Sequence, residues 1–140
     1  LAAIVRPGDV IALTGDLGMG KTTFARYFIN EMAMLNGRPV EDVPSPTFTL
    51  VQIYPMADFS IYHMDLYRLE HPAESLELGI EEAFDDHVTL IEWPDRLGEI
   101  LPNNRLDISI LPGDSPDARR ILLDPHDAWK DRLNDRILHG

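Results

Sequence analysis

The octapeptide Gly15-Asp16-Leu17-Gly18-Met19-Gly20-Lys21-Thr22 restricts this chain more than any other stretch. It satisfies G-x-x-x-x-G-K-[ST] at every fixed place. Glycines let the backbone curl so that successive N–H groups turn inward, toward phosphate oxygens. The lysine reaches β- and γ-phosphates, and the hydroxyl after it is a Mg²⁺ ligand. The context fits as well. Asp9-Val10-Ile11-Ala12-Leu13 is a short apolar run that reads as a buried strand. From Lys21 to about Leu35, Phe24, Phe28, Met32 and Leu35 fall at helical spacing, with Ala25 and Ile29 beside them. A helix beginning near Lys21 adds its positive dipole end to the loop, and Asn36-Gly37 supplies its stop. Strand, glycine loop and helix open an α/β fold, and together they imply a site for a nucleoside triphosphate with Mg²⁺.

The remaining chain alternates in the same way. Pro44-Ser45-Pro46 reads as a loop, and Thr47 to Tyr54 as a strand rich in β-branched and aromatic residues. Ile61 to Asp65 reads as a second such strand. Ala73 to Phe84 is acidic and helical, with Leu76, Ile80 and Phe84 four residues apart. Val88 to Glu92 is a buried strand ending in a carboxylate, and Asp95 to Leu101 a short helix. Leu106 to Leu111 and Arg120 to Leu123 flank a Pro-Gly-Asp-Ser-Pro turn, a pattern for an antiparallel hairpin. Asp127 to Leu138 closes with Trp129, Leu133 and Ile137 on one helical face. The expected fold is a three-layer α/β domain of P-loop type, its central sheet mixed but mostly parallel, with a C-terminal antiparallel hairpin. With 140 residues, 44% of them hydrophobic, residues 1–140 are expected to form one domain.

Charge narrows the function. There are 24 acidic residues against 12 Lys and Arg, a poor balance for a protein that grips nucleic acid by neutralising phosphates. No stretch approaches the roughly 20 apolar residues that cross a bilayer. The chain has no cysteine, which excludes disulfides and thiolate metal sites. No basic-then-apolar segment opens it, so a soluble cytoplasmic protein is expected. The first residues, Leu1 to Val5, read as the last turn of a helix stopped by Pro7 and Gly8, so a truncated N-terminal helix is expected.

A P-loop enzyme also needs a carboxylate at the end of a neighbouring strand to hold Mg²⁺. Two residues qualify, Asp65 and Glu92, and each also reads as an ordinary strand-end acid. Thr47 has two readings: a loop hydroxyl sensing the γ-phosphate and Mg²⁺, or a capping hydroxyl in a stiff proline loop. His63 reads as a core or edge histidine rather than a base, since no partner for it is visible. Trp93 reads as core packing, with a place near the nucleotide or at a partner interface as the alternative.

Four blocks, taken in order, carry a resemblance. Gly15 to Phe24, Ser45-Pro46-Thr47-Phe48-Thr49-Leu50-Val51, His63-Met64-Asp65-Leu66-Tyr67-Arg68-Leu69 and Ile91-Glu92-Trp93-Pro94 resemble the bacterial TsaE family. That family is the ATPase subunit of the machinery that makes threonylcarbamoyladenosine in tRNA. The resemblance covers roughly Pro7 to Leu123. It implies ATP and Mg²⁺ as cofactors, held by Gly15, Asp16, Leu17, Gly18, Met19, Gly20, Lys21, Thr22 and Thr23. Thr22 and Glu92 would hold the metal. Lys21, Thr47, Asp65 and Glu92 would serve turnover, with Ser45-Pro46-Thr47 as a first switch loop and Asp65 in a second. It further implies an ATPase weak alone and stimulated by TsaB- and TsaD-type subunits, whose complex it resets between cycles. Contact with tRNA would be indirect, through those subunits. Met19 replaces an alanine common in the family's loop, at a place that supplies mainly a backbone N–H.

Two other functions share the phosphate-binding residues. A small-molecule or nucleotide kinase needs an arginine-bearing lid, and the only adjacent pair is Arg119-Arg120 beside the hairpin turn. A nucleotide-sensing module without useful hydrolysis differs from an ATPase only in turnover.

Overall fold

The computed structural model describes residues 2–16, 20–39, 43–44, 46 and 49–139, with side chains through residue 133. Leu17, Gly18 and Met19 of the loop, and Ser45 and Thr47 of the expected switch segment, lie outside the described residues. Six strands form one sheet in the order β2-β3-β4-β1-β5-β6. They are β1 (Val10–Thr14), β2 (Val51–Pro55), β3 (Ser60–Asp65), β4 (Val88–Glu92), β5 (Leu106–Pro112) and β6 (Arg119–Pro125). The pairings β3–β4, β4–β1 and β1–β5 are parallel, whereas β2–β3 and the hairpin β5–β6 are antiparallel. The mixed, mostly parallel sheet with a C-terminal hairpin is the one expected from the sequence.

Alternation along each strand sends side chains to two apolar layers. Ile11, Leu13, Leu90, Leu106 and Ile108 pack against helix α1 (Lys21–Leu35) and against Trp129 of helix α3 (Ala128–His139). Val10, Met64 and Ile91 pack on the opposite face, against Ile80 and Ala83 of helix α2 (Ile80–Asp86) and Leu97 of a 3-10 segment, Pro94–Ile100. Burying each such large apolar side chain stabilises the fold by about 1.5–3 kcal/mol.

Several local expectations change. The buried stripe of α1 is Ala25, Phe28, Ile29, Met32 and Ala33, and Leu35 is exposed. The chain turns directly after the helix, at Asn36 and Gly37. Asn36 Nδ2 donates to Met32 O at 2.8 Å and Arg38 N to Ala33 O at 2.8 Å. Of the strand expected from Thr47 to Tyr54, Thr47 and Phe48 lie outside the described residues, Thr49 and Leu50 form a turn and bend with Leu50 at φ 70°, and the strand runs from Val51. The single helix expected from Ala73 to Phe84 is two pieces, a 3-10 segment Pro72–Leu78 and α2. Gly79 joins them at φ 78°, a conformation glycine adopts without a Cβ penalty, and Leu76 is left on the surface. Ala2 to Ile4 form a turn ahead of Pro7 and Gly8.

The closing helix α3 is anchored twice. Trp129 is fully buried, and Arg132 lies over its ring at 4.3 Å while pairing with buried Asp9 at 2.5 Å. Asp9 also accepts from Arg6 N at 2.6 Å, so one carboxylate ties the chain before β1 to the closing helix.

Candidate functional site

The parallel strands β1, β3 and β4 all end on one edge of the sheet, where open α/β sheets bind ligands. Register fixes what meets there. Glu92 is level with Leu13 on β1 and with Asp65 on β3, so both candidate carboxylates stand beside the chain leaving β1. That chain turns at Gly15 and enters α1 through Gly20, whose φ of 102° suits glycine and whose missing Cβ would meet nothing within 4 Å. Backbone shape, not lack of space, therefore selects glycine at this point. Thr14 Oγ1 lies 3.0 Å from Ser109 Oγ, which ties the start of the turn to β5.

Lys21 and Thr22 open α1 and face this edge. Lys21 is buried although it carries an ammonium group. Its Nζ donates to the carbonyl of Gly15, sits 3.5 Å from that of Asp16, and lies 4.0 Å from the centre of the Trp93 ring. Burial holds the Lys21 pKa below its ordinary value, while Glu92, Asp65, Asp16 and Asp95 pull it back upward. A cleft of about 280 Å³ opens here, walled by Thr14, Asp16, Lys21, Trp93, Asp95 and Ser109.

The structure separates the two carboxylates. Glu92 is buried, and Thr22 Oγ1 lies 3.3 Å from each of its oxygens. Asp65, also buried, accepts the backbone N–H of Tyr67 at 3.1 Å and so holds the turn after β3. Thr22 and Glu92 therefore form a hydroxyl–carboxylate pair next to the lysine. A carboxylate only accepts, so the Thr22 hydrogen points at Glu92 and the hydroxyl lone pairs face away from it. Such a set of hard oxygen donors suits Mg²⁺. The N-terminus of α1 and the Lys21 ammonium suit phosphate. The residues present thus fit a Mg²⁺–nucleotide.

Thr23 does not join this cluster. It is exposed and lines a second, more open cavity of about 410 Å³ with Gly20, Tyr27, Ile110, Arg119 and Ile121. Asp16 is exposed at the mouth of the first cleft. Two further residues belong to the site. Trp93 adopts φ 62°, which turns its ring toward Lys21, and Tyr67 packs on it with ring centres 5.0 Å apart. Trp93 is half-buried: it packs against the apolar layer of Val10, Met64 and Ile91, as core packing requires, and its ring also lies beside the lysine. His63 has a partner after all: its Nε2 is 2.7 Å from Glu92 Oε2. Strand register makes this contact: His63 and Asp65 share a face of β3, and Asp65 is level with Glu92.

Comparison with known proteins identifies the family. The family model described as threonylcarbamoyl adenosine biosynthesis protein TsaE matches residues 1–121. A tRNA threonylcarbamoyladenosine biosynthesis protein TsaE from Rickettsia bellii is 42% identical over 109 residues, covering 78% of this chain and 73% of that protein. The protein of the same description from Bacillus subtilis is 44% identical over 110 residues, covering 78% of this chain and 65% of the relative. The crystal structure of Bacillus subtilis YdiB superposes with a TM-score of 0.72 at 35% identity, over 99% of this chain and 82% of that one. On the family match and the identity of these relatives, the chain belongs to the TsaE family of tRNA threonylcarbamoyladenosine biosynthesis proteins.

Proposed function

We propose that the chain binds Mg²⁺–ATP in the cleft at the end of β1 and hydrolyses it as the nucleotide-dependent subunit of a tRNA-modifying assembly. The observation that carries this reading is the meeting of Lys21, Thr22 and Glu92, with Thr22 3.3 Å from the carboxylate. Lys21 supplies a cation where β- and γ-phosphates lie in P-loop proteins. Thr22 and Glu92 would hold the metal, the hydroxyl directly and the carboxylate by orienting that hydroxyl. Mg²⁺ held there would supply neutralisation of phosphate charge. Trp93 covers Lys21 and keeps water from one side of it, which strengthens its attraction for phosphate. Asp65 fixes the turn that carries Tyr67 against Trp93. Thr47 is proposed as the hydroxyl of a switch loop on the family resemblance alone.

Family membership supports the place of this turnover in threonylcarbamoyladenosine synthesis, with TsaB- and TsaD-type subunits as partners and tRNA reached through them. No helix among the described residues is long and apolar enough to cross a membrane, which is compatible with action in the cytoplasm. The test is steady-state ATP hydrolysis by the chain alone and with TsaB, TsaD and tRNA. Slow turnover that rises with the partners and is abolished by Lys21→Ala is the expected result. ATP binding without stimulation would overturn the ATPase reading in favour of a passive nucleotide sensor.

A further inference from the structure

His63 is wholly buried in a strand and spends its one hydrogen bond among the described residues on another buried polar group. Its Nε2 lies 2.7 Å from Glu92 Oε2, and its Nδ1 has no hydrogen-bond partner. The ring is 0% exposed and Glu92 2% exposed, so water does not compete for the contact. Glu92 is acceptor-only when ionised, so Nε2 must be the nitrogen that donates. Burying a carboxylate and an imidazole together is unfavourable unless their contact is kept, which makes the pair a fixed element rather than an incidental one. Thr22 sits 3.3 Å from both oxygens of the same carboxylate, completing a chain His63–Glu92–Thr22 from the sheet to the first turn of α1.

We propose that His63 is a positioning residue for the divalent cation of the nucleotide complex, acting through Glu92; this rests on the function proposed above. Its hydrogen bond fixes the rotation of the Glu92 carboxylate. The carboxylate in turn directs the Thr22 hydrogen, and so aims the hydroxyl lone pairs at the metal. Partners of this kind, one bond removed from a metal, set its affinity by orienting the groups that touch it. His63 touches neither metal nor nucleotide.

The test compares His63→Gln with His63→Asn and His63→Leu in the full chain. A glutamine amide reaches the place of Nε2 and can donate to Glu92, whereas an asparagine amide reaches only the place of Nδ1. Leucine removes the donor without burying a polar atom, and so replaces asparagine if that variant does not fold. Folding is checked by thermal unfolding. The readout is Mn²⁺ binding to the ADP complex by electron paramagnetic resonance, beside ADP affinity in chelator by calorimetry. Expected is a Mn²⁺ dissociation constant raised about 10- to 100-fold in the Asn and Leu variants and close to the parent value in the Gln variant. ADP affinity in chelator is expected to stay unchanged in all three. Parent-like Mn²⁺ binding in the Asn and Leu variants, with Glu92→Gln weakened, would overturn the proposal alone. Equal weakening in all three folded variants would overturn it too, since the loss would then follow packing and not the hydrogen bond. Parent-like Mn²⁺ binding in Glu92→Gln would instead sink the assignment of Glu92, and the role of His63 with it.

Discussion

Lys21 is under opposed forces. Burial lowers its pKa from 10.5, and four carboxylates raise it again. Bound phosphate adds negative charge beside the ammonium and favours its protonated form. Nucleotide binding should therefore take up a proton at alkaline pH, below and toward 10.5, and affinity should fall as pH rises through that window. Calorimetry in buffers of different ionisation enthalpy reads this uptake directly, and Lys21→Ala should abolish both the uptake and most of the binding. Glu92→Ala should behave differently: ADP affinity in chelator survives, while Mg²⁺-dependent turnover drops by about 100-fold or more. Turnover at the parent rate would transfer the metal role to Asp65. Much of this site was legible in the sequence, because a P-loop states its chemistry in adjacent residues. Lys21 and Thr22 could be assigned from the motif, but Asp65 and Glu92 could not be told apart by strand position, since both end strands; only the family resemblance favoured Glu92 for the metal. What separates them is the 3.3 Å approach of Thr22, which depends on how α1 lies across the sheet. His63 was undervalued for a similar reason: its partner is 29 residues away along the chain.

At the scale of elements, the breaks in helices explain where the sequence reads well. Asn36-Gly37 ends α1 where expected, because both residues satisfy the last carbonyls locally. Periodicity alone ran Ala73 to Phe84 together, and Gly79 was the overlooked punctuation. Gly79→Ala should lower stability by about 1 kcal/mol, from backbone strain at φ 78° rather than from collision, since Tyr62 is the nearest neighbour at 3.9 Å. Urea unfolding would read it, and an unchanged midpoint would show that the joint relaxes. The closing helix shows the reverse case, a correct reading with an unforeseen anchor. Trp129→Ala should lower stability by about 3–5 kcal/mol through the cavity it leaves. Nucleotide affinity of the folded fraction should be retained, because α3 follows the end of β6 that pairs with the start of β5, opposite the cleft.

Charge is a property of the whole molecule, and it bears on how a protein of this family meets tRNA. The net charge of −12 opposes approach to a polyanion from every side not locally basic. Several of the described cations already face acidic partners. Arg132 is taken by Asp9, Arg105 by Asp107 at 2.9 Å, and Arg120 faces Asp114 at 3.5 Å. Lys21 is sunk in the cleft among four acidic groups. Affinity for nucleic acid comes mostly from displacing counterions, and each phosphate neutralised adds about one unit of salt dependence. The isolated chain should accordingly retain no tRNA on a filter at physiological ionic strength, and lowering the salt should restore little binding. The same measurement with TsaB and TsaD present should show retention that follows the complex. A steep salt dependence for the chain alone would mean that exposed cations such as Arg26, Arg96 and Arg119 act together as a basic face, and tRNA would then be a direct ligand rather than one reached through partners.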